Sequence, residues 1–234
     1  MVKVVLINSS PRKFGSTKKL LLAAEKGVRD AGCGFSMVDL YDYELKPCQG
    51  CVSDDIMLCR YPCPIEDDFR KIGDMILEAE GIILGTPIYW YGPSGLLKNL
   101  IDRLTSMENM IYHVGYSLLD GKAFGVVAAG NDTGAIMSIS YLMGVFNSMG
   151  CLIPPWALAY HHSTQDVLDN NSAILDAYNV GLNVCRASKR DHPGDEGKWY
   201  NSDVDVELIK RYIRETVEGK DKIESEERKN RFSR

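Results

Sequence analysis

Residues 2–17 read VKVVLINSSPRKFGST, and this stretch decides the fold. Its first six residues form a nearly continuous apolar run rich in β-branched side chains, which is typical of a buried strand. A loop rich in hydroxyl groups follows, and residues 17–30 then repeat apolar side chains at helical intervals. A strand that leads through a short loop into a helix is the first half of a βαβ unit. The stretch therefore predicts an α/β fold.

The same alternation of strand and helix continues along the chain. Short apolar runs predict further strands at residues 35–40, 81–85, 123–129 and either 151–153 or 156–159. Helical spacing predicts helices at residues 65–80, 94–107, 135–149 and 167–190. Helices between successive strands imply parallel strands joined by right-handed crossovers, which place helices on both faces of the sheet. We therefore expect a doubly wound parallel sheet with five strands.

One domain accounts for most of the chain. We expect it to span residues 1–190 and to include a cysteine-rich loop at residues 47–64. A C-terminal extension, residues 191–234, follows it. In the extension we expect an amphipathic helix at about residues 204–217 and then a charged tail that is solvated or frayed.

The composition excludes some classes of function. The 234 residues carry a net charge of −5, unlike the concentrated basic surface of a nucleic-acid-binding protein. No apolar run approaches the roughly 18 residues that a membrane span requires. The apolar N-terminus is too short for a signal peptide and lacks a small-residue cleavage site. We therefore expect a cytoplasmic protein that binds neither nucleic acid nor membrane, with its cysteines in a reducing compartment.

The loop between the first strand and the first helix is a candidate phosphate site. The N-terminus of a helix offers unpaired N–H groups and the positive end of its dipole, which together attract anions. Hydroxyl groups and one arginine add further donors, and the residues concerned are Ser9, Ser10, Arg12, Ser16 and Thr17. A loop rich in hydroxyls rather than glycines favours a single terminal phosphate over a dinucleotide. The alternative is an ordinary turn with Ser16 as the helix N-cap.

Residues 8–17, NSSPRKFGST, resemble the Gly-Ser-Pro-Arg-x-x-Gly-Asn-Thr loop of the NADPH-dependent FMN reductase family. Ser9 stands where the family usually has glycine, and Ser16 stands where it usually has asparagine. The resemblance runs over about residues 1–185. It implies a flavodoxin-like sheet with strand order 2-1-3-4-5 and FMN at the carboxyl ends of the strands.

Two further loops match the same family. Residues 85–95, GTPIYWYGPSG, follow the third strand, where the family has a Thr-Pro-x-Tyr motif that lines the flavin. The resemblance implies FMN contacts from Thr86, Pro87, Ile88, Tyr89, Trp90, Tyr91 and Gly92. The alternative is a hydrophobic turn buried under a neighbouring element. After the fourth strand, the family has a glycine-rich turn at the pyrimidine end of the flavin, which here involves Ala129, Gly130, Asn131 and Thr133.

Two other groups of polar residues are interpreted as structural. Lys98, Asp102 and Arg103 match a Lys-x-x-x-Asp-Arg motif of the family, and we interpret them as structural or as facing a dimer partner. His161 and His162 have no carboxylate at the spacing of a metal or catalytic site, so we interpret them as structural too.

Four cysteines lie within sixteen residues, in the loop after the second strand. They are Cys48, Cys51, Cys59 and Cys63, with the spacing Cys-x2-Cys-x7-Cys-x3-Cys. Four thiolates suit a [4Fe–4S] cluster or a structural zinc ion, and free or redox-active thiols are the third alternative. The iron-sulfur flavoproteins, a branch of the same superfamily, carry a compact four-cysteine motif in this loop, although Asp54 stands at the position of their third cysteine. The remaining cysteines are isolated and are expected to be packing residues: Cys33, Cys151 and Cys185.

These features predict an FMN-dependent oxidoreductase. The resemblance implies that the flavin takes hydride from NAD(P)H, or electrons from a carrier protein, and passes them to a small-molecule acceptor or a redox partner. Two other classes stay open: a flavodoxin-like electron carrier without a substrate pocket, and a regulatory module that binds flavin or metal. Related flavoproteins commonly pair, so we expect a homodimer or homotetramer in which Trp199 and Tyr200 pack against the neighbouring subunit.

Overall fold

The computed structural model describes residues 2–189 and 203–233, so Trp199 and Tyr200 lie outside the described residues. The strands are β1 (Lys3–Asn8), β2 (Gly34–Asp39), β3 (Gly81–Pro87), β4 (Ala123–Gly130) and β5 (Leu158–His162). In the described part of the chain they form one parallel sheet in the order β2-β1-β3-β4-β5. The flavodoxin-like strand order that the resemblance implies is confirmed.

Helices cover both faces of this sheet. They are α1 (Ser16–Asp30), α2 (Phe69–Leu77), α3 (Gly95–Glu108), α4 (Ile111–Val114), α5 (Ala135–Ser148), α6 (Asn171–Lys189), α7 (Val206–Val217) and α8 (Lys220–Phe232). Because side chains alternate along a strand, Val4 and Leu6 pack with α1, α6 and α7, whereas Val5 and Ile7 pack with α2, α3 and α5. No helix in the described ranges is long and apolar enough to cross a membrane.

Helices α1 and α6 approach each other closely at two glycines. A side chain at Gly27 or Gly181 would collide with the backbone of the facing helix. The same approach brings Cys33, after α1, to Cys185 in α6, and the two form a disulfide across 152 residues of sequence. The prediction that both are isolated packing residues is therefore wrong, because their pairing depends on tertiary packing that cysteine spacing does not reveal. Cys151 is a buried free thiol, as expected.

The fifth strand and helices α2 and α6 differ most from their predicted bounds. The fifth strand ends later than either predicted segment, and residues 151–153 contribute only an isolated bridge between Leu152 and Ala123. Helix α2 begins late because the Asp67 carboxylate accepts the Phe69 N–H at 3.0 Å and so ends the preceding loop. Helix α6 also begins late, after a short 3-10 turn that the Asp166 side chain caps.

The described part of the C-terminal extension, residues 203–233, contains two helices instead of one. Helix α7 forms within the predicted amphipathic segment and buries Ile209, Ile213 and Val217 against the core. The charged segment after it, expected to be solvated or frayed, forms α8. Since no side chain of α8 is buried, the helix carries no apolar stripe from which it could be predicted.

Candidate functional site

The loop between β1 and α1 is held against the sheet by its first residues. The Ser9 hydroxyl donates to the Gly85 carbonyl at 2.9 Å, and the Ser9 N–H donates to the same oxygen at 2.8 Å. The Asn8 side chain accepts from the Ser10 N–H at 3.2 Å and donates to Asp39 at 2.8 Å. Ser9 is fully buried, and its hydroxyl is already paired with β3. The hydroxyl therefore attaches the loop to the sheet.

Helix α1 begins without a side-chain cap. Gly15 is its N-cap residue and has no side chain that could accept from the first N–H groups. Ser16 is the first residue of the helix itself, so the alternative of an ordinary turn with Ser16 as N-cap is wrong. The first N–H groups of α1 and the positive end of its dipole are thus available to an anion.

Three loops meet around one cavity at the carboxyl edge of the sheet. The cavity has a volume of about 330 Å³ and is bounded by the loops that follow β1, β3 and β4. The predicted site residues that line it are Ser10, Arg12, Ser16, Thr17, Pro87, Ile88, Tyr89, Ala129, Gly130, Asn131 and Thr133. Two of the loops are joined directly, since the Ile88 N–H donates to the Ala129 carbonyl at 2.8 Å. The structure therefore brings all three predicted loops together.

Five predicted site residues do not line this cavity: Ser9, Thr86, Trp90, Tyr91 and Gly92. Thr86 is fully buried, and its hydroxyl donates to the Pro87 carbonyl at 2.9 Å and accepts from the Ser94 N–H at 3.1 Å. This side chain therefore shapes the start of the aromatic loop, residues 88–92, instead of facing a ligand.

The aromatic loop is a tight, exposed and strained turn. Tyr89 and Gly92 exchange two backbone hydrogen bonds of 2.9 and 3.0 Å, so Trp90 and Tyr91 form the tip. Both tip residues have positive φ, 50° and 65°, a conformation that costs aromatic residues free energy. Trp90 is 95% exposed, so the alternative of a hydrophobic turn buried under a neighbouring element of the chain is wrong. Strain and exposure together in one aromatic turn are typical of a functional site.

The three loops also match one family. A family model described as NADPH-dependent FMN reductase matches residues 2–165, which contain the whole lining of the cavity. The chain belongs to the NADPH-dependent FMN reductase family. The family to which the loop sequences pointed is confirmed.

Individual relatives of this FMN reductase family member agree with the assignment. The chain is 37% identical over 131 residues to an iron-sulfur flavoprotein of Methanocaldococcus jannaschii, which covers 55% of this chain and 62% of that protein. It is 28% identical to a putative NAD(P)H-dependent FMN-containing oxidoreductase of Bacillus subtilis, over 75% of this chain and 94% of that one. This chain spans 62% and 48% of the lengths of two iron-sulfur flavoproteins that it matches.

A solved structure shares the fold. The crystal structure of RosB with bound 8-demethyl-8-formylriboflavin-5'-phosphate aligns with a TM-score of 0.70 and 17% identity, over 92% of this chain and 88% of that one. At this identity the likeness concerns the fold.

The Lys-x-x-x-Asp-Arg motif of the family supports the cysteine-rich loop through Arg103. The Arg103 guanidinium donates to the Lys46 carbonyl at 2.9 Å and to the Asp67 carboxylate at 2.5 Å, so it joins the two ends of the loop. Both charged side chains are fully buried. Burial alone would raise the pKa of Asp67, but hydrogen bonds from Arg103 and from the Lys46 and Phe69 N–H groups lower it. The structural interpretation of Arg103 is confirmed, whereas Lys98 and Asp102 form an exposed ion pair on the same helix.

The four thiols of the cysteine-rich loop are grouped around Cys59. Cys59 is buried, Cys51 and Cys63 are half-buried, and Cys48 is exposed. Burial, and then the neighbouring thiols with Cys51 first, raise the pKa of Cys59 to about 12, so it is protonated at neutral pH. Within residues 2–189 and 203–233, no three His, Cys, Asp or Glu side chains stand in an arrangement that could hold a metal ion. The loop therefore groups the thiols without forming a finished metal centre.

Three residues that support the site are not among those predicted from the sequence: Ser163, Asn109 and His113. Ser163 lines the cavity, and its position just after β5 was the available signal, because all parallel strands end at the same edge. Asn109 donates to the Cys59 carbonyl at 2.7 Å, and His113 Nε2 lies 3.0 Å from the same oxygen. No sequence pattern points to these two contacts. His161 is buried, with Nε2 3.1 Å from the Gln165 carbonyl, which fits its structural interpretation.

Proposed function

We propose that this chain is an FMN-dependent oxidoreductase that uses NAD(P)H as hydride donor. The observation that carries the proposal is the meeting of three loops around one cavity of about 330 Å³ at the carboxyl edge of a parallel sheet. In doubly wound folds this edge is where ligands bind. Membership of the NADPH-dependent FMN reductase family supports the proposal, and so does similarity to a putative FMN-containing oxidoreductase.

The residues at the start of α1 suit the phosphate of FMN. Ser10, Ser16 and Thr17 offer hydroxyl groups, and the uncapped helix offers N–H groups. Arg12 adds an exposed guanidinium at the same wall, whereas Lys13 is paired with Asp42 at 2.5 Å. Hydrogen bonds from a cation to an anionic oxygen are about twice as strong as neutral ones. The donor set therefore favours a phosphate monoester over a neutral ligand.

The opposite end of the cavity suits a flat ring. Ile88 and Tyr89 form one wall, and the loop from Ala129 to Thr133 supplies backbone N–H and carbonyl groups at the other. When bound, FMN accepts a hydride from a reduced nicotinamide and returns the electrons to a second substrate. This chain would hold the ring and leave one face open, and a small-molecule acceptor or a redox partner would take the electrons.

The exposed tip of the aromatic loop favours a homodimer or homotetramer. Tyr91 lies against Gly134 at the start of α5, and the first turn of α5 exposes Ile136 and Met137. Trp90 is exposed on the neighbouring turn, and exposed apolar side chains that cluster commonly mark protein–protein contacts. Sedimentation of the wild type and of Ile136→Lys tests this assembly, since a monomeric wild type contradicts it. We place the assembly in the cytoplasm.

We further propose that Cys48, Cys51, Cys59 and Cys63 hold a [4Fe–4S] cluster. Four thiols in one loop match the donor set of such a cluster, and relatives named iron-sulfur flavoproteins support it. The thiols as they stand would have to move and Cys59 would have to lose its proton, so no electron-transfer step is assigned to the cluster. Iron and sulfide analysis of anaerobically purified protein tests the proposal. Cys51→Ser should lose the iron and Cys151→Ser should keep it, whereas zinc or no metal in the wild type contradicts the cluster.

Anaerobic rapid mixing with NADH or NADPH tests the oxidoreductase proposal. The FMN-loaded protein should lose its flavin absorbance band with at least one nucleotide at a rate that saturates with nucleotide concentration. If FMN binds but neither nucleotide reduces it, the chain is instead a flavodoxin-like electron carrier.

A further inference from the structure

The C-terminal helix α8 contacts the phosphate loop, residues 9–15 between β1 and α1, from outside the cavity proposed to bind FMN. The Glu224 carboxylate accepts two consecutive backbone N–H groups of that loop, from Lys13 at 2.5 Å and from Phe14 at 2.9 Å. None of these three residues lines the cavity at the carboxyl edge of the sheet. A carboxylate bound by successive backbone N–H groups is an anion in a backbone nest, and here the anion belongs to the chain itself.

Three further contacts join α8 to the same part of the chain. Arg228 donates to the Pro11 carbonyl at 2.9 Å. Asp221 pairs with the buried Lys19 of α1 at 3.2 Å, and the Lys220 ammonium lies 5.7 Å from the centre of the Phe14 ring. The residues that α8 contacts in this way are Pro11, Lys13, Phe14 and Lys19, and all four lie between the end of β1 and the first turns of α1. The helix thus fixes this segment at several points.

The backbone N–H groups of the phosphate loop bind two kinds of partner: Glu224 of α8 and acceptors within the loop itself. Those of Lys13 and Phe14 bind Glu224, and those of Arg12 and Gly15 bind within the loop, to the Ser10 hydroxyl and to the Arg12 carbonyl. The start of α1, with no side-chain cap, is left for the cavity. Without Glu224, two adjacent N–H groups would lose a charged partner, and the loop could rearrange to satisfy them in other ways.

We propose that α8 is a positioning element for the phosphate loop, and that Glu224 is the residue through which it acts. Docking of α8 and binding of the FMN phosphate then stabilise each other, although the two use different N–H groups: those of Lys13 and Phe14 for Glu224, and those at the start of α1 for the phosphate. The coupling is reciprocal, as any coupling between two binding equilibria must be. The inference rests on the proposed binding of FMN in the cavity.

Flavin titration of the apoprotein separates this role from a general effect of charge. Glu224→Gln keeps the shape of the side chain and weakens the contact, and Glu227→Gln makes the same change in charge at an exposed position of α8. We expect Glu224→Gln to raise the Kd for FMN about tenfold, which corresponds to about 1.4 kcal/mol. Affinity for riboflavin, which lacks the phosphate, should not change, and Glu227→Gln should resemble the wild type with both ligands.

Limited proteolysis measures the reciprocal effect. FMN should slow tryptic cleavage within α8 of the wild type about tenfold, and riboflavin should not. In Glu224→Gln the protection by FMN should largely disappear. The inference would be overturned if Glu224→Gln left the FMN affinity unchanged, or if it tightened FMN binding, as expected if the carboxylate competed with the phosphate. It would also be overturned if FMN did not slow cleavage of the wild type. Failure of the wild type to bind FMN at all would instead overturn the proposed function.

Discussion

Replacing Arg103 by methionine tests the ion pair beneath the cysteine-rich loop. Arg103 and Asp67 are both fully buried, with Nη1 and Oδ2 2.5 Å apart. The guanidinium also donates to the Lys46 carbonyl at 2.9 Å and lies 4.6 Å from the centre of the Phe69 ring. Methionine keeps much of the apolar volume but leaves the Asp67 carboxylate buried without a cation.

The expected loss of stability is about 3 kcal/mol. Removing one partner of a buried ion pair typically costs about 3–5 kcal/mol, because the remaining charge is not compensated. Asp67 would keep hydrogen bonds from the Lys46 N–H at 2.8 Å and the Phe69 N–H at 3.0 Å, which favours the lower end of that range. The matched control is Lys98→Met on the same helix. Lys98 forms an exposed pair with Asp102, so its loss should cost less than about 1 kcal/mol.

Urea denaturation at several pH values gives the free energy of unfolding for the wild type and both variants. The pKa of Asp67 is lowered in the native state despite burial, chiefly because Arg103 donates to it. A lowered native pKa contributes stability that is complete above the unfolded-state pKa, about 3.9, and is lost as the pH falls through the native pKa. The difference between wild type and Arg103→Met should therefore be full at neutral pH and shrink in acid. A loss no larger than that of Lys98→Met, or a difference that persists undiminished in acid, would refute the reasoning.

Three other changes test separate parts of the structure. Arg12→Gln should raise the Kd for FMN about tenfold or more and leave that for riboflavin unchanged in fluorescence titrations, because it removes a charge-assisted bond to the phosphate; equal losses for both ligands would contradict this. Cys33→Ala combined with Cys185→Ala should lower the free energy of unfolding by up to about 5 kcal/mol, the chain-entropy value for a loop that spans 152 residues. Reductant should destabilise the wild type by the same amount and leave the double variant unaffected. In the Ile136→Lys background, which disrupts the proposed assembly, Trp90→Gly should raise stability by about 1 kcal/mol, because the exposed side chain with φ of 50° gives up backbone strain and little burial; thermal melts that show a loss in that background would contradict it.

The elements that could be predicted from sequence are those whose signals are local. The run from β1 into α1 carries a buried strand, a turn and a helix start within sixteen residues, and all three appear in the structure. The sequence predicts two alternative segments for β5 and neither includes its end, because the last two residues, His161 and His162, do not resemble a buried strand. Helix α8 escaped prediction because it is charged on all sides and is held by polar contacts to a distant loop. The disulfide could not be predicted either, because it too depends on contact between distant residues: Cys33 and Cys185 meet only through packing of α1 on α6.

The same distinction explains what could be predicted of the candidate site. The three loops were found because each carries its chemistry in consecutive residues at the end of a strand. What holds the phosphate loop in shape comes from elsewhere in the chain: Asp39 through Asn8, and Glu224 from α8. The cysteine-rich loop likewise depends on a distant residue, Arg103. Glu224 is 211 residues away in sequence from Lys13, whose N–H donates a hydrogen bond to it. Two chains with the same phosphate loop can therefore differ in phosphate affinity when their supports differ. A loop motif indicates that a phosphate site exists, but its strength depends on long-range contacts that only the folded chain contains.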